Sequence, residues 1–303
     1  MPFPASIPFF QLPVYDLAIP GLGNLPVDPW ATLVMIGFVV GLEIGRARTI
    51  RLGLDVRDYV DGAVFTVAMG FVVGHIFTVL FYFPERLQTD GIWAILRIWQ
   101  GFSSTGGLIG AVLGANLFYR VIRPGPLGRY LDMITYGFPF AWFFGRMGCA
   151  SVHDHIGRKT DFFLGMRFPP GHYAEGVRHE LGLYEALYMI PVSALFWYLG
   201  RKDRPPGFFV GVFLIAYVPL RFGLDFLRNT DLATQDARYW GLTPAQYGMT
   251  AILVGALIWL WRLRGQQFVP VDLIRGPGQP EVPVAPAPET ERAPIPPAEG
   301  DGR

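Results

Sequence analysis

The chain has 303 residues, of which 51% are apolar, 15% aromatic and only 16% charged, against roughly 25% charged in soluble domains. Its 25 basic and 24 acidic residues leave a formal net charge of +1, which excludes a nucleic-acid partner held by a strong field. A single cysteine, Cys149, excludes an internal disulfide and any thiolate-rich zinc or iron–sulfur centre within one chain.

Long apolar runs recur from Trp30 onward, the pattern of an all-α polytopic membrane protein. Residues 1–29 hold no basic stretch followed by an apolar one, so they read as an extracytoplasmic segment and not as a cleavable signal peptide. About seven transmembrane helices follow, near Trp30–Gly45, Tyr59–Phe83, Phe102–Tyr119, Tyr130–Phe144, Leu183–Leu199, Phe208–Phe226 and Tyr247–Trp261. The fourth has about 15 residues, roughly 22 Å at 1.5 Å per residue, and falls short of a roughly 30 Å hydrocarbon core. It is either tilted into a protected cavity or extended into its flanks.

Basic residues follow the first span (Arg46, Arg48, Arg51, Arg57), the third (Arg120, Arg123, Arg129), the fifth (Arg201, Lys202, Arg204) and the seventh (Arg262, Arg264). Seven spans put all four groups on one side, which the positive-inside rule makes cytoplasmic. The N-terminus is then outside and the C-terminus inside. The opposite face carries residues 84–101, 145–182 and 227–246. The middle connection is long, polar and glycine-rich, and is expected to form a small cap or amphipathic interfacial segments. Residues 30–264 are thus expected as one membrane-embedded domain. Residues 265–303, rich in proline and acidic side chains, are expected as a disordered cytoplasmic tail.

Five polar groups stand out in this apolar background. His75, near the end of the second span, either helps close a polar cavity or makes a buried hydrogen bond. In the stretch Ser103-Ser104-Thr105-Gly106-Gly107, the hydroxyls suit a lipid head group, while the glycines suit close helix packing equally well. In Gly145–Gly157, Arg146 offers a multi-donor fork for phosphate. Nearby, Cys149, His153, Asp154 and His155 suit either acid–base work or a hydrogen-bonded turn; a soft-metal site is a weaker alternative. Glu185, at the start of the fifth span, should face protein and pair with Arg146 or Arg221. Finally, Tyr217, Arg221, Asp225 and Arg228 recur at helical spacing, so they form one stripe that should line the bundle interior.

The order and spacing of these groups resemble the bacterial prolipoprotein diacylglyceryl transferase family over roughly Trp30–Trp261. Ser104–Gly110 is similar to the family's HGGLIG motif, and Gly145–Gly157 to its GRxGNFxNxExxG signature. His179 and Leu183-Tyr184-Glu185-Ala186 match parts of HPxQLYEA. Tyr217 and Arg221–Arg228 resemble its Tyr-x-x-x-Arg-x-x-x-Glu-x-x-Arg stripe, and Leu242–Gln246 resembles the segment before its last helix. The departures are specific. Thr105 stands in the place of the motif histidine, Cys149 and Val152 replace asparagines, Asp154 and Asp225 replace glutamates, His75 stands where an arginine is common, and His153 and His155 are additions.

The resemblance implies a seven-span enzyme of the bacterial inner membrane. It would move diacylglyceryl from phosphatidylglycerol to the cysteine thiol of a preprolipoprotein lipobox peptide, releasing glycerol 1-phosphate. Arg146, Tyr217 and Arg221 are its expected catalytic residues, with His153 or His155 as the general base. Ser104, Thr105, Gly106, Gly107, Cys149, Asp154, Glu185, Asp225 and Arg228 are expected to bind substrate. Phosphatidylglycerol, the lipobox peptide and membrane lipids are the implied partners, with no nucleic acid, metal or organic cofactor. The alternatives are a related membrane transferase with another acceptor, and a non-catalytic phospholipid- or lipoprotein-binding homologue.

Overall fold

The computed structural model describes residues 6–19, 23–98, 101–232 and 238–266; the expected tail beyond residue 266 lies outside them. Helix α1 (Pro29–Arg51) begins where the Asp28 carboxylate accepts a hydrogen bond from the Ala31 N–H at 2.9 Å, with proline at the first helical position. Helix α2 (Val56–Phe77) is capped by Asp55 and runs on through a π-helical turn, Thr78–Tyr82. Two short helices, α3 (Glu85–Asp90) and α4 (Trp93–Leu96), precede α5 (Ser104–Leu117). The remaining helices are α6 (Leu127–Val152), α7 (Leu181–Leu199), α8 (Phe208–Leu224) with a 3-10 turn at Asp225–Leu227, and α9 (Pro244–Leu263).

Small residues set the helix pairings. A Cβ at Gly37 of α1 would lie 2.5 Å from the Ala141 carbonyl oxygen of α6, and one at Gly41 would lie 2.8 Å from the Ala141 Cβ. Backbones this close exclude side chains, which is how helices without a hydrophobic drive between them associate in a bilayer. Tyr136, Met189, Val192, Phe196, Phe209 and Phe213 form the buried core shared by α6, α7 and α8. Helix α8 has no side-chain cap of its own. Asp132 of α6 supplies one from outside: its carboxylate accepts from the N–H groups of Gly207, Phe208, Phe209 and Val210 at 2.8, 3.2, 2.9 and 3.2 Å.

Among the described residues, seven long helices overlap the seven predicted segments. By length and composition, four can cross a membrane: Pro29–Arg51, Val56–Tyr82, Thr105–Ile122 and Phe208–Leu227. The fourth segment takes its extended alternative. Helix α6 has 26 residues, about 39 Å, and continues past Phe144 to Val152. Arg146 and Cys149 therefore sit on a helix and not in a connecting loop.

The all-α expectation is also corrected. Strands β1 (Ile7–Pro8), β2 (Tyr15–Ile19), β3 (Gly23–Val27), β4 (Ile156–Lys159), β5 (Met166–Phe168) and β6 (Gly176–Glu180) accompany the helices. Four of them form a sheet in the order β1-β5-β6-β4, with β1 parallel to β5 and the other pairs antiparallel. β2 and β3 pair separately as an antiparallel hairpin. Ile156, Met166, Phe168 and Ala174 are buried in the sheet's own small core. Because α6 leads into β4 and β6 leads directly into α7, the sheet ties together the ends of these two helices.

Candidate active site

Beside this sheet, α6, α7 and α8 join a charged network. Glu185 of α7 is fully buried. Its Oε2 lies 2.9 Å from Arg146 Nε, and its Oε1 lies 3.7 Å from Arg221 Nε. The Tyr217 hydroxyl donates to Glu185 Oε2 at 2.5 Å and accepts from Arg146 Nη2 at 3.3 Å. The Arg146 guanidinium covers the Trp142 ring, 4.5 Å from its centroid. One turn further along α8, Arg221 Nη1 donates to Asp225 Oδ1 at 2.9 Å, and Arg228 Nη1 lies 3.8 Å from the same oxygen. The predicted stripe is therefore real, and Glu185 pairs with both arginines offered to it by sequence.

Asp225 is held in turn by the start of α9. Its Oδ2 accepts the Thr243 hydroxyl, while Thr243 and Gln246 form a reciprocal capping box. Gln246 Nε2 donates to the Phe222 carbonyl at 3.0 Å. In this buried network three guanidiniums (Arg146, Arg221, Arg228) face two carboxylates (Glu185, Asp225). Two of these guanidiniums, Arg146 and Arg221, converge on one carboxylate, Glu185, an arrangement that suits a phosphate anion. Low local dielectric strengthens such an attraction relative to water.

The end of α6 adds a second cluster. Arg146 Nη1 lies 3.4 Å from His155 Nε2 and 3.7 Å from Cys149 Sγ. Asp154 makes a short hydrogen bond to His155 Nδ1. With the proton held on Nδ1 by the carboxylate, the Nε2 lone pair faces the arginine. The ligand-type atoms of Cys149, Asp154 and His155 lie within 4.8 Å of one another. A guanidinium beside two of them makes this a poor seat for a metal cation.

His153 is not part of that cluster. Its φ of 53° is left-handed, so the chain turns sharply and the two histidines part. Nδ1 of His153 lies 3.2 Å from Glu180 Oε2, and Nε2 lies 2.7 Å from the Phe10 carbonyl oxygen. Both nitrogens are committed to fastening α6 to β6 and to the chain after β1. Burial pushes the His153 pKa down, but Glu180 and the Phe10 carbonyl outweigh it and hold the pKa above 6.5. Burial also raises the Glu180 pKa above its ordinary value, against the pull of His153.

The glycines of the first predicted motif lie in a helix interface. A Cβ at Gly106 would lie 2.4 Å from the Phe77 Cβ, so this glycine seats α5 on α2. Gly107 faces Gly70 in the same interface, where a Cβ would lie 3.7 Å from the Gly70 carbonyl oxygen. Ser103 caps α5 by accepting from the Gly106 N–H at 3.3 Å. Thr105 is exposed, and among the described residues no contact joins it to Arg146 or Arg221. The Ser104 side chain lies outside the described residues. His75 takes its hydrogen-bonding alternative, with ring nitrogens 3.1 Å from the Gly101 oxygen and 3.0 Å from the Ala94 oxygen. Phe102 stacks on Trp30 with centroids 6.2 Å apart, and Trp30 packs against Gly148. These contacts place the start of α5 beside the end of α6.

The sequence profile of the prolipoprotein diacylglyceryl transferase family matches residues 18–262. The chain belongs to that family. Three relatives bear the name phosphatidylglycerol–prolipoprotein diacylglyceryl transferase. The protein from Chromohalobacter salexigens is 32% identical over 256 residues, covering 83% of this chain and 94% of the relative. That from Pasteurella multocida is 32% identical over 261 residues, with the same coverages of 83% and 94%. That from Nitratidesulfovibrio vulgaris is 30% identical over 256 residues, covering 82% and 93%. With its apolar helices, this family member is a multi-pass membrane protein.

Sequence reasoning missed Thr243 and Gln246 of this family member as supports of Asp225, although Thr-Pro-Ala-Gln is a legible capping box. It also missed Trp142 beneath Arg146, for which one aromatic among many gives no signal, and Glu180 as the partner of His153.

Proposed function

We propose that this chain transfers diacylglyceryl from phosphatidylglycerol to the thiol of a preprolipoprotein lipobox cysteine, releasing glycerol 1-phosphate. The observation that carries the site assignment is the convergence of Arg146, Arg221 and Tyr217 on the fully buried Glu185. Arg146 and Arg221 hold the lipid phosphate and stabilise the charge that grows on its oxygen as the leaving group departs. Tyr217 and Glu185 fix the two guanidiniums, and Asp225 and Arg228 extend the same support past the end of α8.

The acceptor thiol gives its proton to His155 Nε2, with Asp154 holding the imidazole by Nδ1. The thiolate sulfur then attacks the glycerol carbon. A C–S bond forms as the C–O bond to phosphate breaks, and the electron pair leaves on the phosphate oxygen. His155 takes this role, and not His153, because its Nε2 lies beside Arg146, while His153 fastens α6 to β6 and to the chain after β1. Cys149 occupies the place of a signature asparagine and contacts Arg146 through sulfur, a weaker acceptor than an amide oxygen.

In this reading all seven long helices span the bacterial inner membrane. The N-terminus and the sheet lie outside, the basic connections face the cytoplasm, residues 30–264 form the transferase domain, and the tail from 265 onward is cytoplasmic. The test incubates the purified protein with phosphatidylglycerol membranes and a lipobox peptide, and looks by mass spectrometry for a diacylglyceryl adduct on cysteine. An adduct with equimolar glycerol phosphate release is the expected result. Folded protein that binds the lipid without forming an adduct would overturn it in favour of a different acceptor or a binding-only homologue.

A further inference from the structure

At the far end of the bundle a second buried guanidinium lacks a counter-charge. Arg48, one turn before the end of α1, is 5% exposed. Its Nη1 donates to the Gly200 carbonyl at 2.8 Å, and the guanidinium lies 4.5 Å and 4.7 Å from the ring centroids of Tyr136 and Phe209. A guanidinium has five donor hydrogens. Among the described residues, that one hydrogen bond is the only one made by Arg48, and its Nε is buried without a partner. No described carboxylate lies within ion-pair distance of it. Asp132 is committed to four backbone N–H groups, and Asp203 pairs with Arg51 at 3.1 Å.

An open groove of about 270 Å³ lies beside this charge, lined by Ile44, Ala47, Arg48, Arg51 and Tyr136. Its wall combines two guanidiniums and a phenol with an apolar strip on α1. This is the composition that receives a charged head while a hydrocarbon stem lies alongside. The site is distinct from the one around Arg146. Glu185 and Gly200, which hold the two arginines, are separated by about 22 Å along α7.

We propose that this groove binds a phosphate ester anion, which supplies the counter-charge that the fold withholds from Arg48. The anion is either the head group of an acidic phospholipid or a free glycerol phosphate. The test uses the full chain in detergent micelles and counts bound molecules by native mass spectrometry, with dioctanoyl phosphatidylglycerol and glycerol 1-phosphate as probes. Ala47→Trp fills the groove from an exposed position and leaves the contacts of Arg48 intact. Arg51→Gln removes one charge from the rim.

The expected result is one fewer bound phosphatidylglycerol in Ala47→Trp and binding weakened about tenfold in Arg51→Gln, the scale of one charge-assisted contact. Competition by glycerol 1-phosphate for that one molecule would assign recognition to the phosphate ester alone. Failure to compete would assign it to the intact lipid. Unchanged stoichiometry and affinity for both probes in both folded variants would overturn the proposal.

Discussion

The two ends of the helix bundle use the same materials in opposite ways. Near the sheet, the buried carboxylate of Glu185 pairs with Arg146 and Arg221. At the far end, the buried carboxylate of Asp132 is spent on the first turn of α8, and Arg48 is left with a carbonyl and two aromatic rings. Neither the arginine nor the carboxylate alone tells the ends apart; the partner of the carboxylate does. Where it pairs with cations it builds a site that holds two guanidiniums together. Where it caps a helix it builds structure, and the neighbouring cation must find another anion.

The largest effect should come from breaking the first arrangement. Arg146→Gln removes a phosphate donor and leaves Glu185 with the Tyr217 hydroxyl and, among the cations described, the looser 3.7 Å contact to Arg221. Lipid transfer is expected to fall about 10²–10³-fold, and breaking a buried pair costs about 3–5 kcal/mol of stability. A double variant, Arg146→Gln with Glu185→Gln, removes both charges and should recover much of the thermal stability while leaving transfer low. Recovery of transfer in the double variant would show that Arg146 serves only to pair with Glu185.

Next is the split between the histidines. His155→Ala should lower kcat about 10²-fold, with little change in thermal stability. His153→Ala should do the reverse, lowering the unfolding midpoint while keeping kcat per folded molecule. An unchanged kcat in His155→Ala would remove His155 from proton transfer.

How far sequence carried is visible in these same residues. The stripe of Tyr217, Arg221 and Asp225 was legible because helical spacing alone puts such positions on one face, and a charged stripe is too costly to leave against lipid. The position of Glu185 was legible for the same reason. The end of α6 was legible only as one of two alternatives, a tilted span or an extended one, and only Glu185, on another helix, stabilises a helical Arg146 in the interior. The parting of His153 from His155 rests on one left-handed backbone angle, and the strand at Ile7–Pro8 finds its partner at Met166–Arg167. Periodicity reports neither. The glycines of the first motif fit both of their readings until Phe77 appeared opposite Gly106.

At the far end, Asp132→Ala should separate structure from chemistry. Four N–H groups at the start of α8 would lose their acceptor together, at a cost of about 2–3 kcal/mol or more, measured as a lowered unfolding midpoint. Because Arg146 and Arg221 lie at the other end, the folded fraction should keep transfer per molecule within about twofold. Loss of transfer with an unchanged midpoint would mean that the two ends are coupled.

The smallest effect concerns the latch between α6 and the sheet. His153 faces two acceptors, the Glu180 carboxylate and the Phe10 carbonyl. Only the protonated ring donates to both, so folding favours the charged form and the folded pKa stands above the ordinary 6.5. Its contribution is complete below pH 6.5 and is lost as pH rises through the folded pKa. Raising the pH from 6 to 8 should therefore lower the unfolding midpoint by about 2 °C. Asparagine accepts a left-handed backbone and does not titrate in this range, so His153→Asn should flatten that slope without straining the turn. A slope of the same size in His153→Asn would place the titrating group elsewhere and leave His153 as a hydrogen-bonded hinge of fixed charge.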